Sequence, residues 1–170
     1  SSGVALEVDA ISQPSYPLVQ NAGKNLLKLY LNDTGLFTGI LYGNDIRPVL
    51  EDKRSINLGS VYETAVAQEL KAHGFSLYYY DNKKNGEVDY LIDDTKNMSS
   101  IPIEVKSGKD YMIHSALDKF IANKDYAVRQ AYVLSNEANI FEKNGVTYIP
   151  IYFVMFFEHD VRLAPEEYIF

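Results

Sequence analysis

The apolar residues of this chain recur either every second position, as in strands, or at the 3.6-residue period of helices. The positions where one period gives way to the other predict its helices and strands. Alternating or continuous apolar segments predict strands at residues 4–11, 26–31, 77–80, 87–92, 101–106, 130–134 and 146–151. Apolar residues at helical spacing predict helices near residues 33–43, 59–74 and 114–123. Gly43 and Gly74 follow two of these helices, as expected for residues that end a helix.

From residue 58 onward the predicted order is helix, three strands, helix, strand. This order predicts an α/β fold with a mixed central β-sheet flanked by helices. Residues 43–57 combine charge with little periodicity and are predicted to form a loop. We therefore divide the chain into an N-terminal segment, 1–57, and a main domain, 58–170. The first is interpreted as the tail of a preceding domain, or a linker, with one short helix. Because the chain begins mid-pattern and without Met, we expect a fragment of a longer protein.

Composition excludes several classes of function. The chain has 170 residues and no cysteine, which removes thiol nucleophiles, zinc–thiolate sites and disulfides. No apolar run reaches the roughly 18 residues of a membrane span, and no signal peptide is visible, so we expect a cytoplasmic protein without a membrane partner. The net charge of −7 does not favour general nucleic-acid binding. However, residues 131–170 hold two Lys/Arg and six Asp/Glu, so much of the acidity lies near the C-terminal end. DNA remains a possible partner.

The segment Glu104-Val105-Lys106 is the first candidate for chemistry. Residues two apart on a strand share a face, so the Glu104 carboxylate and the Lys106 ammonium lie together. A carboxylate can hold a divalent cation for phosphodiester hydrolysis, while a lysine stabilises the phosphate or positions the water. The alternative is an exposed ion pair worth only ~0–1 kcal/mol. Because Ile101, Ile103 and Val105 make the strand apolar enough to be central, we favour the catalytic interpretation.

Asp89 and Glu87 share a face of the strand that precedes this segment. Hard oxygen ligands suit Mg²⁺ or Mn²⁺, so Asp89 is predicted to bind the metal together with Glu104. Glu87 lies next to a turn, where solvation is the simpler interpretation. We keep it as a candidate that supports the metal ligands without binding the metal.

Glu63 completes the predicted set. It lies three residues after Ser60 near the start of a helix, where the pair could form a capping box. The helix precedes the strands in an order that can place its first turn over the acidic patch. A capping role and a metal-ligand role compete for one carboxylate, and we favour the metal ligand.

Four segments of the chain together resemble a known family. They are residues 30–36 (YLNDTGL), 59–70 (GSVYETAVAQEL), 87–92 (EVDYLI) and 102–107 (PIEVKS). In order and content they resemble an uncharacterised domain that follows an AAA-type ATPase domain in many bacterial and archaeal proteins. That family is similar to the PD-(D/E)XK nuclease superfamily, which includes restriction endonucleases and Holliday-junction resolvases. The resemblance covers most of residues 25–155.

The resemblance implies a restriction-endonuclease-like α-β-β-β-α-β core with a Mg²⁺ or Mn²⁺ site on the strand pair. Asp89 matches the superfamily's Asp, Glu104 its Asp/Glu, Lys106 its Lys and Glu63 its first-helix acid. The implied function is a metal-dependent nuclease acting on DNA, joined to an ATPase domain. The alternative is a regulatory or protein-interaction module that keeps the nuclease shape and cuts nothing. A purely DNA-binding module is a third possibility.

Overall fold

The computed structural model describes residues 3–43, 45, 47–51 and 58–159. These residues form one eight-stranded sheet with the order β2-β1-β3-β4-β5-β6-β8-β7. In chain order the strands are β1 (Ala5–Ile11), β2 (Ala22–Leu31), β3 (Tyr78–Asn82), β4 (Gly86–Asp94), β5 (Ser99–Lys106), β6 (Tyr132–Ser135), β7 (Phe141–Lys143) and β8 (Val146–Pro150). The helices are α1 (Thr34–Tyr42), α2 (Arg47–Leu50), α3 (Gly59–Ala72) and α4 (Ser115–Ala122).

The sheet is mixed, which confirms the predicted α/β class. Strands β3, β4 and β5 are antiparallel neighbours, whereas β5, β6 and β8 run parallel. The order α3-β3-β4-β5-α4-β6 matches the predicted helix–three strands–helix–strand sequence. A parallel step from β5 to β6 requires a crossover connection, and α4 lies within that connection.

Each face of the sheet carries its own apolar cluster. On one face α3 buries Val66, Ala67 and Leu70 completely against residues of β1, β4 and β5. On the other face α4 buries Leu117 and Phe120 against β3, β4 and β6. The central strands are therefore covered on both sides, so a charged side chain on them has little access to water.

Helix α3 ends at Ala72, and Gly74 follows it as the predicted stop. The φ of Gly74, +87°, is a left-handed conformation that favours glycine. The amide of Gly74 donates to the Lys71 carbonyl and that of Phe75 to the Leu70 carbonyl, the pair of bonds that defines a Schellman motif. Helix α3 begins at Gly59, as predicted. Leu58 occupies the N-cap position without a side-chain bond, so the alternative in which Ser60 and Glu63 form a capping box does not occur.

The N-terminal strands belong to the same sheet as the rest. Strand β1 pairs in parallel with β3, Asp9 opposite Tyr78, and β2 pairs antiparallel with β1. Helix α1 follows with Asp33 as its N-cap, whose Oδ1 accepts from the Leu36 amide at 2.8 Å. The predicted domain boundary after residue 57 adjoins residues 52–57, which lie outside the described residues.

Three elements differ from the sequence expectation. Strand β2 begins at Ala22, four residues earlier than predicted. The predicted loop contains the four-residue helix α2 among its described residues. Strand β7 was not predicted, and it pairs with β8 across Asn144-Gly145, both at positive φ. An Asn-Gly pair is a strong hairpin signal, but three residues are too few to show alternation.

Candidate metal centre

Strands β4 and β5 separate at the predicted site. Their backbone pairing runs from Asp94 opposite Ser99 to Tyr90 opposite Ile103. The next amide of β5 in this alternation, that of Val105, donates to Asp89 Oδ2 at 2.7 Å. A side-chain carboxylate thus takes the place of a backbone acceptor where the ladder stops. Asp89 is held against the segment that carries Glu104 and Lys106.

A bulge in β4 accounts for this separation. Against β3, Leu91 lies opposite Tyr78 while Val88 lies opposite Tyr80, so β4 has one residue more than its partner over this interval. An extra residue bends a strand and increases its local twist. Asp89 lies within the bulged interval, which explains why it leaves the regular ladder.

Glu104 is the most deeply buried member of the site. Only 6% of it is exposed, and its Oε1 accepts from Lys106 Nζ at 2.7 Å. Its Oε2 is buried and has no hydrogen-bond partner among the described residues. A buried polar atom without a partner destabilises a fold by about 1–3 kcal/mol. This oxygen is therefore placed to receive a ligand that the protein does not itself provide, such as a cation.

The pKa of the Asp89 carboxyl is raised well above its ordinary range. Burial is the main cause, and the charges of Glu104 and Glu63 add to it. The Val105 amide and the Lys28 ammonium act in the opposite direction. Three acidic groups thus interact at one place, where a bound divalent cation would relieve their repulsion.

Glu63 is tied to the sheet by two tyrosines. Its Oε2 accepts from the Tyr30 hydroxyl of β2 at 2.9 Å, and its backbone carbonyl accepts from the Tyr90 hydroxyl of β4 at 2.8 Å. Burial raises the pKa of both Tyr30 and Tyr90 far above 10. Both hydroxyls stay protonated at neutral pH, and they fix the first turn of α3 beside Asp89.

Glu87 forms an ion pair with Lys28 of β2. The Lys28 ammonium also lies 4.7 Å from the centre of the Tyr79 ring. Glu87 is about half exposed and Lys28 about one quarter exposed. The structure therefore places Glu87 with Lys28 at the margin of the acidic cluster. It does not place it against the carboxylates of Asp89 and Glu104.

Comparison with known families adds one observation. The profile of a family described as a domain of unknown function, DUF4143, matches residues 58–154. The chain belongs to the DUF4143 family. No curated protein and no solved structure matches it significantly. The DUF4143 match includes Glu63, Asp89, Glu104 and Lys106, whereas strands β1 and β2 precede it. In the part of the chain that the structure describes, no helix is long and apolar enough to cross a bilayer.

The DUF4143 site is not a preformed cage of protein ligands. Among residues 3–43, 45, 47–51 and 58–159, no three His, Asp or Glu side chains are arranged to hold a metal ion. Mg²⁺ commonly binds through one or two carboxylates, with waters and substrate phosphates completing its shell. Asp89 and Glu104 fit that pattern as a pair. The roles of Asp89, Glu104 and Glu63 as metal ligands stay predictions, and the Glu63 carboxylate already accepts from Tyr30.

The sequence interpretation missed three residues around the DUF4143 site, namely Tyr30, Tyr90 and Lys28. Lys28 and Tyr30 are two apart on β2, so alternation could have placed them on one face. Alternation does not show which strands are neighbours. Because β1 and β3 lie between β2 and β4, the approach of these side chains to α3 and β4 depends on tertiary structure.

Proposed function

We propose that this DUF4143 domain is a Mg²⁺-dependent nuclease domain of the PD-(D/E)XK type, acting on DNA phosphodiesters. The observation that carries the proposal is the separation of β4 from β5, which holds Asp89 against the Val105 amide and leaves Glu104 Oε2 buried without a partner. A strand face that only forms an ion pair does not require a buried carboxylate oxygen without a partner. A cation site does require one, because that oxygen binds the ion.

In this proposal Asp89 and Glu104 hold Mg²⁺ or Mn²⁺. The bound ion supplies Lewis acidity and lowers the pKa of a water molecule. Lys106 exchanges its contact with Glu104 for the phosphate or the attacking water, stabilising negative charge in the transition state. Glu63, whose carboxylate accepts from Tyr30, would complete the ligand set of the ion.

The resemblance to domains that follow AAA-type ATPases supports the rest of the proposal. The chain is then the C-terminal part of a cytoplasmic ATPase, which drives or regulates cleavage. The net charge of −7 is consistent with this arrangement. An acidic surface disfavours random DNA binding, so productive contact depends on the metal and on delivery of the substrate by the partner domain.

The direct test is cleavage of single-stranded, duplex and branched DNA with Mg²⁺ or Mn²⁺. We expect Lys106→Ala to lower the rate by ~10²–10³-fold, the usual effect of removing one group that stabilises transition-state charge. Lys143→Ala is the matched control, because Lys143 is an exposed lysine on the edge strand β7. Cleavage that is unchanged in Lys106→Ala would refute this mechanism.

A catalytically silent interaction module is the second candidate. Two observations favour it: no three acidic side chains form a cage within the described residues, and the edge strand β2 exposes Leu27 and Leu29. Exposed apolar groups on a sheet edge are typical of protein-binding surfaces. Calorimetry with Mn²⁺ separates the candidates, since a silent module should bind the ion weakly or not at all.

A further inference from the structure

The proposed site has a second ammonium group that comes from outside the family match. Lys28 lies on β2, reaches over the Tyr79 ring and pairs with Glu87. Its partner Glu87 lies two residues before Asp89 on β4, so Lys28 reaches the strand that carries that carboxylate. In the sheet, β2 lies on one side of β4 and β5 lies on the other. Lys28 and Lys106 therefore come from strands on opposite sides of β4.

The partner that Lys28 now has is easily displaced. Glu87 is about half exposed and Lys28 is partly exposed, and ion pairs of this kind contribute only ~0–1 kcal/mol. A phosphate offers the ammonium charge-assisted hydrogen bonds of comparable or greater strength. Exchange of one anion for the other thus costs little. The contact with the Tyr79 ring keeps the ammonium in place during the exchange.

We infer that Lys28 binds a phosphate of the substrate strand other than the one beside Lys106, and that Glu87 is the anion it displaces. This inference rests on the proposed function. It also specifies the substrate class, because two separated ammonium groups fit a strand with successive phosphates better than a mononucleotide. Lys28 is thus a substrate-positioning residue supplied by the N-terminal strands.

Binding, measured apart from cleavage, tests the inference. The probe is a fluorescein-labelled single-stranded DNA oligonucleotide, with Ca²⁺ in place of Mg²⁺, followed by anisotropy over a series of NaCl concentrations. Each phosphate contact to a single strand contributes about 0.7 to the slope of log K against log salt. We expect Lys28→Ala to weaken binding and to reduce the slope by about 0.7. Lys28→Arg keeps the charge and should retain the slope, and Lys143→Ala should match the wild type.

Glu87 provides an independent arm of the same experiment. Glu87→Gln should tighten binding because it releases Lys28, whereas Glu142→Gln removes the same charge from the exposed strand β7 and should have a smaller effect. The extra gain from Glu87→Gln should disappear when it is combined with Lys28→Ala. Such non-additivity identifies the ion pair as the source of the effect.

The outcomes separate the two proposals. A wild-type protein that binds the oligonucleotide with the expected slope change but does not cut DNA supports the Lys28 contact and overturns the nuclease proposal. A protein that cuts DNA while Lys28→Ala keeps the wild-type slope overturns the Lys28 contact alone. Absence of oligonucleotide binding by the wild type, or a Lys28→Arg variant that loses the slope like Lys28→Ala, also overturns the inference.

Discussion

Two aspartates of β4, Asp94 at its end and Asp89 next to its middle, have very different surroundings. Asp94 is 7% exposed and accepts three hydrogen bonds, from the Asn97 amide at 3.1 Å, from Asn97 Nδ2 at 2.7 Å and from Ser99 Oγ at 3.4 Å. Asp89 accepts from the Val105 amide at 2.7 Å and interacts with two other carboxylates. Asp94 stabilises a turn, whereas Asp89 takes the place of a backbone acceptor where the pairing of β4 with β5 stops.

The difference shows how a buried carboxylate can be assigned to structure or to function. A carboxylate surrounded by donors stabilises the loop that supplies them. A carboxylate surrounded by like charges destabilises the fold and is retained where another requirement outweighs stability. Asp94 belongs to the first kind and Asp89 to the second. Substitutions at the two positions test that assignment.

The largest expected effect is on catalysis. If the proposed function holds, Asp89→Asn should lower DNA cleavage by at least ~10²-fold, because it removes a negative oxygen from the proposed metal site. Asp94→Asn, the same change on the same strand, should stay within a few-fold of wild type once it is folded. The DNA cleavage rates of both variants are measured with Mg²⁺ and with Mn²⁺. Equal losses in the two variants would contradict the assignment.

Stability should respond in the opposite order. Asp94→Ala leaves the Asn97 amide and side chain without their acceptor, and we expect the free energy of unfolding to fall by ~1–3 kcal/mol. Asp89→Asn removes a charge that repels its neighbours, so stability should hold or rise in the absence of metal. Urea denaturation in EDTA compares them. A larger loss in Asp89→Asn than in Asp94→Ala would invalidate the distinction.

The pH dependence follows from the raised pKa of Asp89. A carboxyl whose pKa is higher in the folded than in the unfolded state binds its proton more tightly when folded. Its contribution to stability is complete below the unfolded value, about 4, and is lost as pH rises through the raised folded value. We expect the metal-free unfolding free energy to contain a component that falls over this interval. Asp89→Asn should lack that component in urea titrations at a series of pH values.

The smallest expected effect concerns Glu63. Tyr30→Phe removes the hydroxyl that donates to Glu63 Oε2, and one hydrogen bond contributes about 0.5–1.5 kcal/mol. We expect a loss of that size in stability and a change of a few-fold in Mn²⁺ affinity by calorimetry. Tyr152→Phe, at an exposed tyrosine, should change neither. A Tyr30→Phe variant with unaltered stability would show that Glu63 does not depend on this hydroxyl.

Much of this architecture could be predicted from local pattern. Alternation placed Glu104 and Lys106 on one face of a central strand, and the ion pair at 2.7 Å agrees with it. Glycine correctly marked the end of α3. These features depend on residues close together in the chain, where spacing determines geometry.

The remainder depends on contacts between distant segments. The spacing from Ser60 left a capping role open for Glu63, but its carboxylate accepts from Tyr30, thirty-three residues away. The bulge at Asp89 has no Gly or Pro to mark it. Strands β1 and β3 pair in parallel although they are more than sixty residues apart in the chain, so no local period could reveal their pairing.

The parallel pairing of β1 with β3 has a practical consequence for expression of this protein. A fragment trimmed to the family match, starting at residue 58, would lose β1, which pairs with β3. Strand β3, with Tyr78-Tyr79-Tyr80, would then become an unpaired edge strand. Unprotected aromatic edges recruit strands from other molecules. Such a truncated product should precipitate or self-associate, whereas one that retains β1 should stay dispersed.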